Sequence, residues 1–282
     1  MGNINKIDVG SSDFYEFIVK NYLYIDKSKF IEHVLQDSSR VLLFTRQRRM
    51  GKSLNIDTLK TFLDITQNSS HLFKNLYIET SSEFVKCNQY PVLYFDFKSY
   101  TIESFENRCY NVLKNVVNKL IAKNQRNFLV EEYMERVIPL DEGFASAVME
   151  NIYDIYNKKI IVIIDEYDSV LLRNYKHDDI GKLKNFISRF FSEMLKGNRF
   201  LEKGILTGVS CIANESIFSD FENAKYYDIF TSSIYGEDFS LTHEELTALC
   251  SDELMLEQAK YWYDNITVGN CKLYNIYSVM NY

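Results

Sequence analysis

Two short stretches carry the chemistry of this chain. In the first, the apolar run Val41–Thr45 leads through a basic loop to Gly51-Lys52-Ser53, and Leu54–Gln67 follows with helical spacing. A strand, a glycine-containing turn and a helix opening with Lys-Ser present unbonded N–H groups to an anion. The lysine ammonium can neutralise phosphate oxygens and the serine hydroxyl can hold Mg²⁺. In the second, the β-branched run Ile160–Ile164 ends in Asp165-Glu166. An aspartate at that strand end can hold Mg²⁺, and the adjacent glutamate can polarise a water for attack on a γ-phosphate. Each half has a bland alternative: a triplet that merely starts a helix, and two acids that merely end a strand. The two in this order point to one nucleotide site, with Lys52 and Glu166 as catalytic residues and Ser53 and Asp165 as metal ligands.

The first stretch matches the P-loop pattern G-x-x-x-x-G-K-[ST] except that Arg46 stands at the first glycine, which works only if φ stays negative there. Arg46, Arg48, Arg49, Met50, Gly51, Lys52, Ser53 and Leu54 form the candidate nucleotide-binding segment. The three arginines could contact phosphate, pin the loop to nearby acids or meet a nucleic-acid partner; solvated ion pairing is the plainer reading. No [NT]-K-x-D guanine motif follows the P-loop stretch, which favours ATP over GTP.

The elements that must position these residues alternate. Short helices over Phe14–Leu23 and Ser28–Leu35, with Asp26 and Ser28 as caps, precede a first strand over 40–45. Asn68–Cys87 reads as loops around a short helix. Strands are expected over Pro91–Phe97, with Asp96 near its end, over the Asp-Glu run, over Leu201–Ser210 and over Asp228–Ile234. Helices are expected over Phe105–Ile121, Glu142–Tyr156 and Ile180–Leu195. The stripe Phe105, Cys109, Val112, Val116 and Leu120 reads as core. Thr242-His243-Glu244-Glu245 is a capping box opening a helix, and Leu254–Tyr263, with the sole tryptophan Trp262, reads as another.

This alternation predicts an α/β fold, a three-layer P-loop NTPase sandwich with a mostly parallel sheet of about five strands and helical extensions at both ends. The expected division is a lead-in over 1–39, an ATPase core over 40–240 and a helical or mixed extension over 241–282. The P-loop class with its acid on the Asp-Glu strand implies the order 5-1-4-3-2. It also implies a polar side chain near the γ-phosphate from the next strand, for which Thr207 and Ser210 are sensor candidates; a simple turn is the alternative for each.

Composition narrows the classes. With 282 residues and 46% hydrophobic content the chain can bury a large core, and a net charge of −7 argues against a generally nucleic-acid-coating surface. Five cysteines without C-x-x-C spacing read as reduced thiols rather than a zinc site. MGNINKIDVG has no apolar signal region, and Lys6 stands where a myristoylation signal wants Ser or Thr. No run is long enough to span a membrane. The expectation is a cytoplasmic protein.

Tyr24-Ile25-Asp26-Lys27-Ser28 and Thr45-Arg46-Gln47-Arg48-Arg49-Met50-Gly51-Lys52-Ser53 resemble the Y-[VI]-D-K-[ST] and T-R-P-R-R-F-G-K-[ST] stretches of the AAA-ATPase-like family. Asp165–Asp168, Leu206–Ser210, Glu215–Ser219, Leu241–Glu245, Trp262–Asp264 and Tyr274-Asn275 with Ser278 match further blocks in order. The resemblance implies ATP and Mg²⁺ as ligands and accounts for Arg46, since the family itself has arginine there. Gln47, Met50, Asn265 and Ile276-Tyr277 depart from its pattern. Longer relatives continue into a PD-(D/E)XK nuclease-like domain, relative to which this chain is expected to be truncated; a nuclease or nucleic-acid partner and a homo-oligomer are the associations to look for.

The leading expectation is a Mg²⁺-dependent ATPase module. A non-hydrolysing nucleotide switch or scaffold is the alternative, and a metal-dependent nuclease lacks a carboxylate cluster followed by E-x-K. Arg173, Arg189 and Arg199 are the candidates for a catalytic arginine finger, and sequence does not separate them.

Overall fold

The computed structural model describes residues 7, 10–124, 143–210, 224–228, 233–249, 257–258, 264–268 and 271–280. The Glu215–Ser219 block, Trp262 and, apart from 257–258, the helix expected over Leu254–Tyr263 lie outside the described residues, as do the side chains of Val116 and Leu120.

Five strands, β1 (Val41–Thr45), β2 (Val92–Asp96), β3 (Ile160–Asp165), β4 (Leu201–Gly208) and β5 (Ala224–Tyr227), form one sheet in the order β2-β3-β4-β1-β5. All four pairings are parallel. Read from the other edge this is 5-1-4-3-2, the expected order, and it sets β1 beside β4. The fifth strand is Ala224–Tyr227, which pairs with Val41–Phe44; of the stretch Asp228–Ile234, Asp228 carries no strand, Ser233 and Ile234 are helical, and 229–232 lie outside the described residues.

Period-2 alternation divides each central strand between two cores. Val41, Leu43, Ile160, Val162 and Ile164 face a layer made by α4 (Phe105–Asn124), α5 (Phe144–Tyr156) and α7 (Ile180–Leu195). Leu42, Phe44, Ile161, Ile163 and Ile205 face α2 (Lys29–Gln36) and α3 (Lys52–Leu63), with α1 (Phe14–Val19) beyond them. A strand apolar at every position is therefore what a sheet covered on both sides requires. Each of these buried apolar side chains contributes about 2 kcal/mol by leaving water. The result is the three-layer P-loop NTPase fold.

A short helix, α6 (Ser169–Arg173), follows β3 directly. Beyond the main sheet come α8 (Ser233–Asp238), β6 (Leu241–Thr242), α9 (His243–Leu249), β7 (Asp264–Val268), β8 (Cys271–Tyr274) and α10 (Ile276–Met280). β6, β8 and β7 form an antiparallel sheet. That sheet was not expected, because its strands are short and carry no sustained alternation. The capping box forms: Thr242 Oγ1 accepts from Glu245 N and Glu245 Oε2 accepts from Thr242 N. The same carboxylate accepts from Lys27 Nζ at 2.6 Å, tying the N-terminal lead-in to this region.

Two caps expected near residue 28 differ. The Ser28 hydroxyl does not cap α2 but accepts from Ile78 N, and Asp26 accepts from Ser28 N and Tyr77 N. Both side chains anchor the 3-10 turn Tyr77–Thr80, which with the turns Ser70–Phe73 and Ser82–Lys86 occupies the stretch read as loops around one helix. No described helix is long and apolar enough to cross a membrane.

Candidate functional site

The loop after β1 leaves the sheet at the C-terminal edge of the strands, where open α/β sheets bind ligands. Arg46 N still donates to Gly208 O at 3.1 Å, so Arg46 extends the β1–β4 pairing. Positive φ values occur at Arg49 (67°) and Gly51 (70°) but not at Arg46. The absent first glycine therefore costs the loop nothing; the left-handed turns fall later. A Cβ on Gly51 would lie 3.3 Å from Ile276 Cδ1, on top of the φ strain a side chain would meet there.

The loop's side chains separate into two groups. Lys52 is buried, and its Nζ donates to the Arg46 and Gln47 carbonyls at 3.0 and 2.9 Å. Burial lowers its pKa, while Glu166, Asp165 and Asp168 pull it back up in that order. Arg48, Arg49, Gly51, Ser53 and Leu54 line the cavity beside it. Arg46 and Met50, both expected in the nucleotide-binding segment, point elsewhere. The Arg46 guanidinium donates to the Thr45, Tyr227 and Tyr235 carbonyls, with the Phe239 ring 5.2 Å away. Met50 is buried against Val268 and Leu273.

β3 delivers Asp165 to the same edge. Its carboxylate accepts from the Thr207 hydroxyl on β4 and from Glu166 N, and the Ser53 hydroxyl lies near enough to favour its charged form. Burial raises its pKa; Thr207 and Ser53 oppose that shift and Asp96, its register partner on β2, adds to it. Sites far apart in sequence thus meet: Ser53 beside Asp165, with Lys52 in the field of both acids. Glu166 sits at φ 53°, a left-handed conformation that costs a non-glycine residue about 1–2 kcal/mol. The turn swings its carboxylate out of the strand and into the cavity wall. Burial raises its pKa too, and Lys52 is the main opposing influence.

The end of β4 is stitched to this turn. Tyr167 Oη donates to Ser210 O at 2.7 Å, and Asp168 Oδ2 accepts from Val209 N at 2.9 Å and Ser210 N at 2.8 Å. Thr207 is fully buried with its hydroxyl on Asp165, whereas Ser210 is held through its main chain.

The cavity has a volume of about 740 Å³ and a lining of mixed chemistry. Phe17, Leu23, Ile25, Leu54, Ile276 and Met280 supply apolar lining; Arg48, Lys52, Ser53, Lys98, Glu166 and Arg173 supply polar lining. Lys27, Arg48, Arg49, Lys52, Lys98 and Arg173 are all on its wall, and Glu166 is the one acid among the lining residues. In a chain of net charge −7 such a concentration of cations marks an anion site. Sequence reasoning missed the contributions of Leu23–Ile25, Lys98 and α10, which approach from the lead-in, the end of β2 and the C-terminal region. The conserved-looking spacing of a motif could not have revealed them; the short run Tyr24-Ile25-Asp26-Lys27 was the nearest signal.

Known proteins resemble this chain in part. An uncharacterised protein from the vnfD 5′ region of Azotobacter chroococcum mcd 1 is 21% identical over 264 residues, covering 92% of this chain and 48% of that protein. The chain thus spans about half the length of the curated relative it matches. Among solved structures, a Walker-type ATPase of Pyrococcus abyssi aligns over 85% of this chain and 63% of its own, at 17% identity and a TM-score of 0.44. The ORC2 protein of Aeropyrum pernix, in ADPNP–ADP complexes, aligns over 86% and 54%, at 11% identity and a TM-score of 0.37. The family described as Predicted AAA-ATPase matches residues 8–218, and on that match, across most of its length, the chain belongs to the AAA-ATPase-like family.

Proposed function

We propose that this protein binds ATP with Mg²⁺ in this cavity and hydrolyses it to ADP and phosphate. The observation that carries the reading is the cavity itself: its wall combines Lys52, Glu166 and five further cations with apolar side chains such as Leu23, Ile25 and Leu54, the mixture that a triphosphate joined to a planar base requires. Lys52 would leave its two carbonyl partners for the β- and γ-phosphate oxygens, and the N–H groups opening α3 would face the same anion. Leu23, Ile25 and Leu54 would take the base by burial of its faces.

The donors present suit Mg²⁺. One carboxylate, Asp165, lies beside one hydroxyl, Ser53, and Mg²⁺ in such sites takes one or two protein oxygens with phosphate and water completing the shell. When bound, the ion would be held by Ser53 and Asp165 and would supply charge that neutralises the phosphates. Thr207 would fix the orientation of the Asp165 carboxylate. Glu166 would accept a proton from the attacking water as the bond from water oxygen to the γ-phosphorus forms. The bond from that phosphorus to the β–γ bridging oxygen breaks, its electron pair leaves on ADP, and the proton passes from Glu166 to solvent. A carboxyl with a raised pKa is the stronger base when ionised, which suits Glu166 to this role.

Phosphate release and ATP affinity measured together test the reading. Glu166→Gln is expected to bind ATP as the wild type does and to turn over at least about 100-fold more slowly. A wild type that binds ATP yet releases phosphate no faster than Glu166→Gln would make the protein a nucleotide-binding switch instead.

A further inference from the structure

Three arginines were equal candidates for the finger that neutralises a transferring phosphoryl group, and the fold separates them. Arg199 precedes β4, at the opposite edge of the sheet from the cavity, and pairs with Glu150 at 2.9 Å. Arg189 lies on α7 over the Phe186 ring at 5.5 Å. Arg173 ends α6, the helix that begins three residues after Glu166, and lines the cavity together with Glu166, Lys52 and Lys98.

Arg173 is held in place by main-chain carbonyls as well as lining the cavity. Its Nη2 donates to Tyr100 O at 2.9 Å and Phe97 O at 3.3 Å, and its Nε donates to Ser169 O at 3.3 Å. Those carbonyls occupy one edge of a rigid planar fork that carries five N–H donors, and Nη1 makes no hydrogen bond among the described residues. No described carboxylate forms an ion pair with it. The corner that holds it, Phe97–Tyr100, also carries Lys98, so one turn at the end of β2 is associated with two cations of the cavity wall. An oriented guanidinium with free donors and no anionic partner, on the wall shared with the water-activating glutamate, is an incomplete anion site.

We propose that Arg173 contacts the γ-phosphate and stabilises its transfer, an arginine finger supplied by the same chain. The assignment rests on the ATPase reading above. As the water oxygen bonds to the γ-phosphorus and the bond to the bridging oxygen breaks, Nη1 of Arg173 donates to a γ-phosphate oxygen. The water proton goes to Glu166 and the leaving electron pair to ADP; Arg173 itself neither gains nor loses a proton.

The test compares wild type, Arg173→Ala and Arg173→Lys in phosphate release, in ATP and ADP affinity and in thermal melting. Arg173→Ala is expected to lower kcat on the order of 10³-fold, with ADP affinity within about twofold of wild type because ADP lacks the contacted group. Arg173→Lys, which keeps the charge without the fork, falls between the two. Guanidinium ion added to Arg173→Ala below its denaturing range restores part of the rate, a response that a purely structural arginine would not give. Wild-type specific activity is independent of protein concentration, since no second copy is needed. An Arg173→Ala protein with wild-type kcat, equal loss of ATP and ADP binding without rescue, or activity that rises with protein concentration overturns the assignment. If the wild type binds ATP without turning it over, hydrolysis fails separately. The arginine contact then stands or falls on whether wild type prefers ATP to ADP and Arg173→Ala loses that preference.

Discussion

The Arg46 guanidinium donates from Nη1 to the main-chain carbonyl of Tyr227 at 2.7 Å, joining the first residue of the P-loop to the end of the edge strand β5. Its other bonds reach Thr45 O and Tyr235 O, and its charge is only partly balanced by Asp228 and Asp238, so burial lowers its pKa to about 10. Arg46 is thus a brace between the loop, β5 and α8.

Arg46→Ala is expected to destabilise the fold by about 3 kcal/mol, because it leaves several buried carbonyls without donors. Arg46→Lys recovers only part of this, since one ammonium cannot reproduce a planar fork spanning three carbonyls. Urea unfolding of the two variants checks the ranking. Equal stability of wild type and Arg46→Ala would show that the brace contributes nothing.

Gly208 closes β4 where Tyr167 crosses it. A Cβ there would lie 2.4 Å from Tyr167 Cε1 and 2.9 Å from Asp168 Oδ1. Gly208→Ala is expected to cost about 1–3 kcal/mol by overpacking. It should also slow phosphate release, because the ring and carboxylate that must move are the ones holding Val209 and Ser210 against the Asp165–Asp168 turn. Thermal melting and turnover on the same preparation test both effects.

The central fold was legible because both-face burial leaves a strong mark. Val41–Thr45 and Ile160–Ile164 are apolar throughout, and the helices between strands keep a clear stripe. The expected strand order came from the resemblance to P-loop proteins, not from periodicity. Ala224–Tyr227 was not read as a strand because Ala-Lys-Tyr-Tyr carries a lysine and an exposed tyrosine, as an edge strand can, while the Asp228–Ile234 run looks more apolar. In the site, Lys52, Ser53, Asp165 and Glu166 were legible as motif residues. Arg46 was not, since only tertiary placement shows its fork turned toward Tyr227 and Tyr235. Lys98, Arg173 and Tyr277, whose ring lies 4.4 Å from the Arg49 guanidinium, depend on where separate elements end.

Asp165, Glu166 and Asp168 all have pKa values raised by burial above ordinary values of 3.8, 4.5 and 3.8. The folded chain therefore holds protons that the unfolded chain has released. The stabilising contribution is fully present below the unfolded values and is lost as pH rises through the folded ones. Glu166→Gln is expected to melt above wild type near neutral pH, with the difference shrinking on acidification toward pH 4.5. Turnover moves the opposite way, its acid limb lying above 4.5 because protonated Glu166 cannot accept the water proton. A melting difference that is flat across this range would mean that Glu166 ionises in the fold as it does in water.

Lys52 shows the same conflict between stability and function from the cationic side. Its ammonium is buried, bonded to two carbonyls, and carries a pKa lowered by burial despite three nearby acids. An ammonium held out of water this way is poorly compensated until an anion arrives. Lys52→Met keeps the length and apolar stem while removing the charge, and replacing a buried charge by an apolar group of similar volume is often neutral or stabilising. The variant is expected to melt at or above the wild-type temperature without nucleotide, and to lose at least about 100-fold in ATP affinity, the worth of a charge-assisted phosphate contact of roughly 3 kcal/mol. Calorimetric titration with ATP beside a melting curve reads both. A variant that binds ATP like wild type would remove Lys52 from the phosphate site. One that melts far lower would mean that the Arg46 and Gln47 carbonyls need the ammonium for the fold itself.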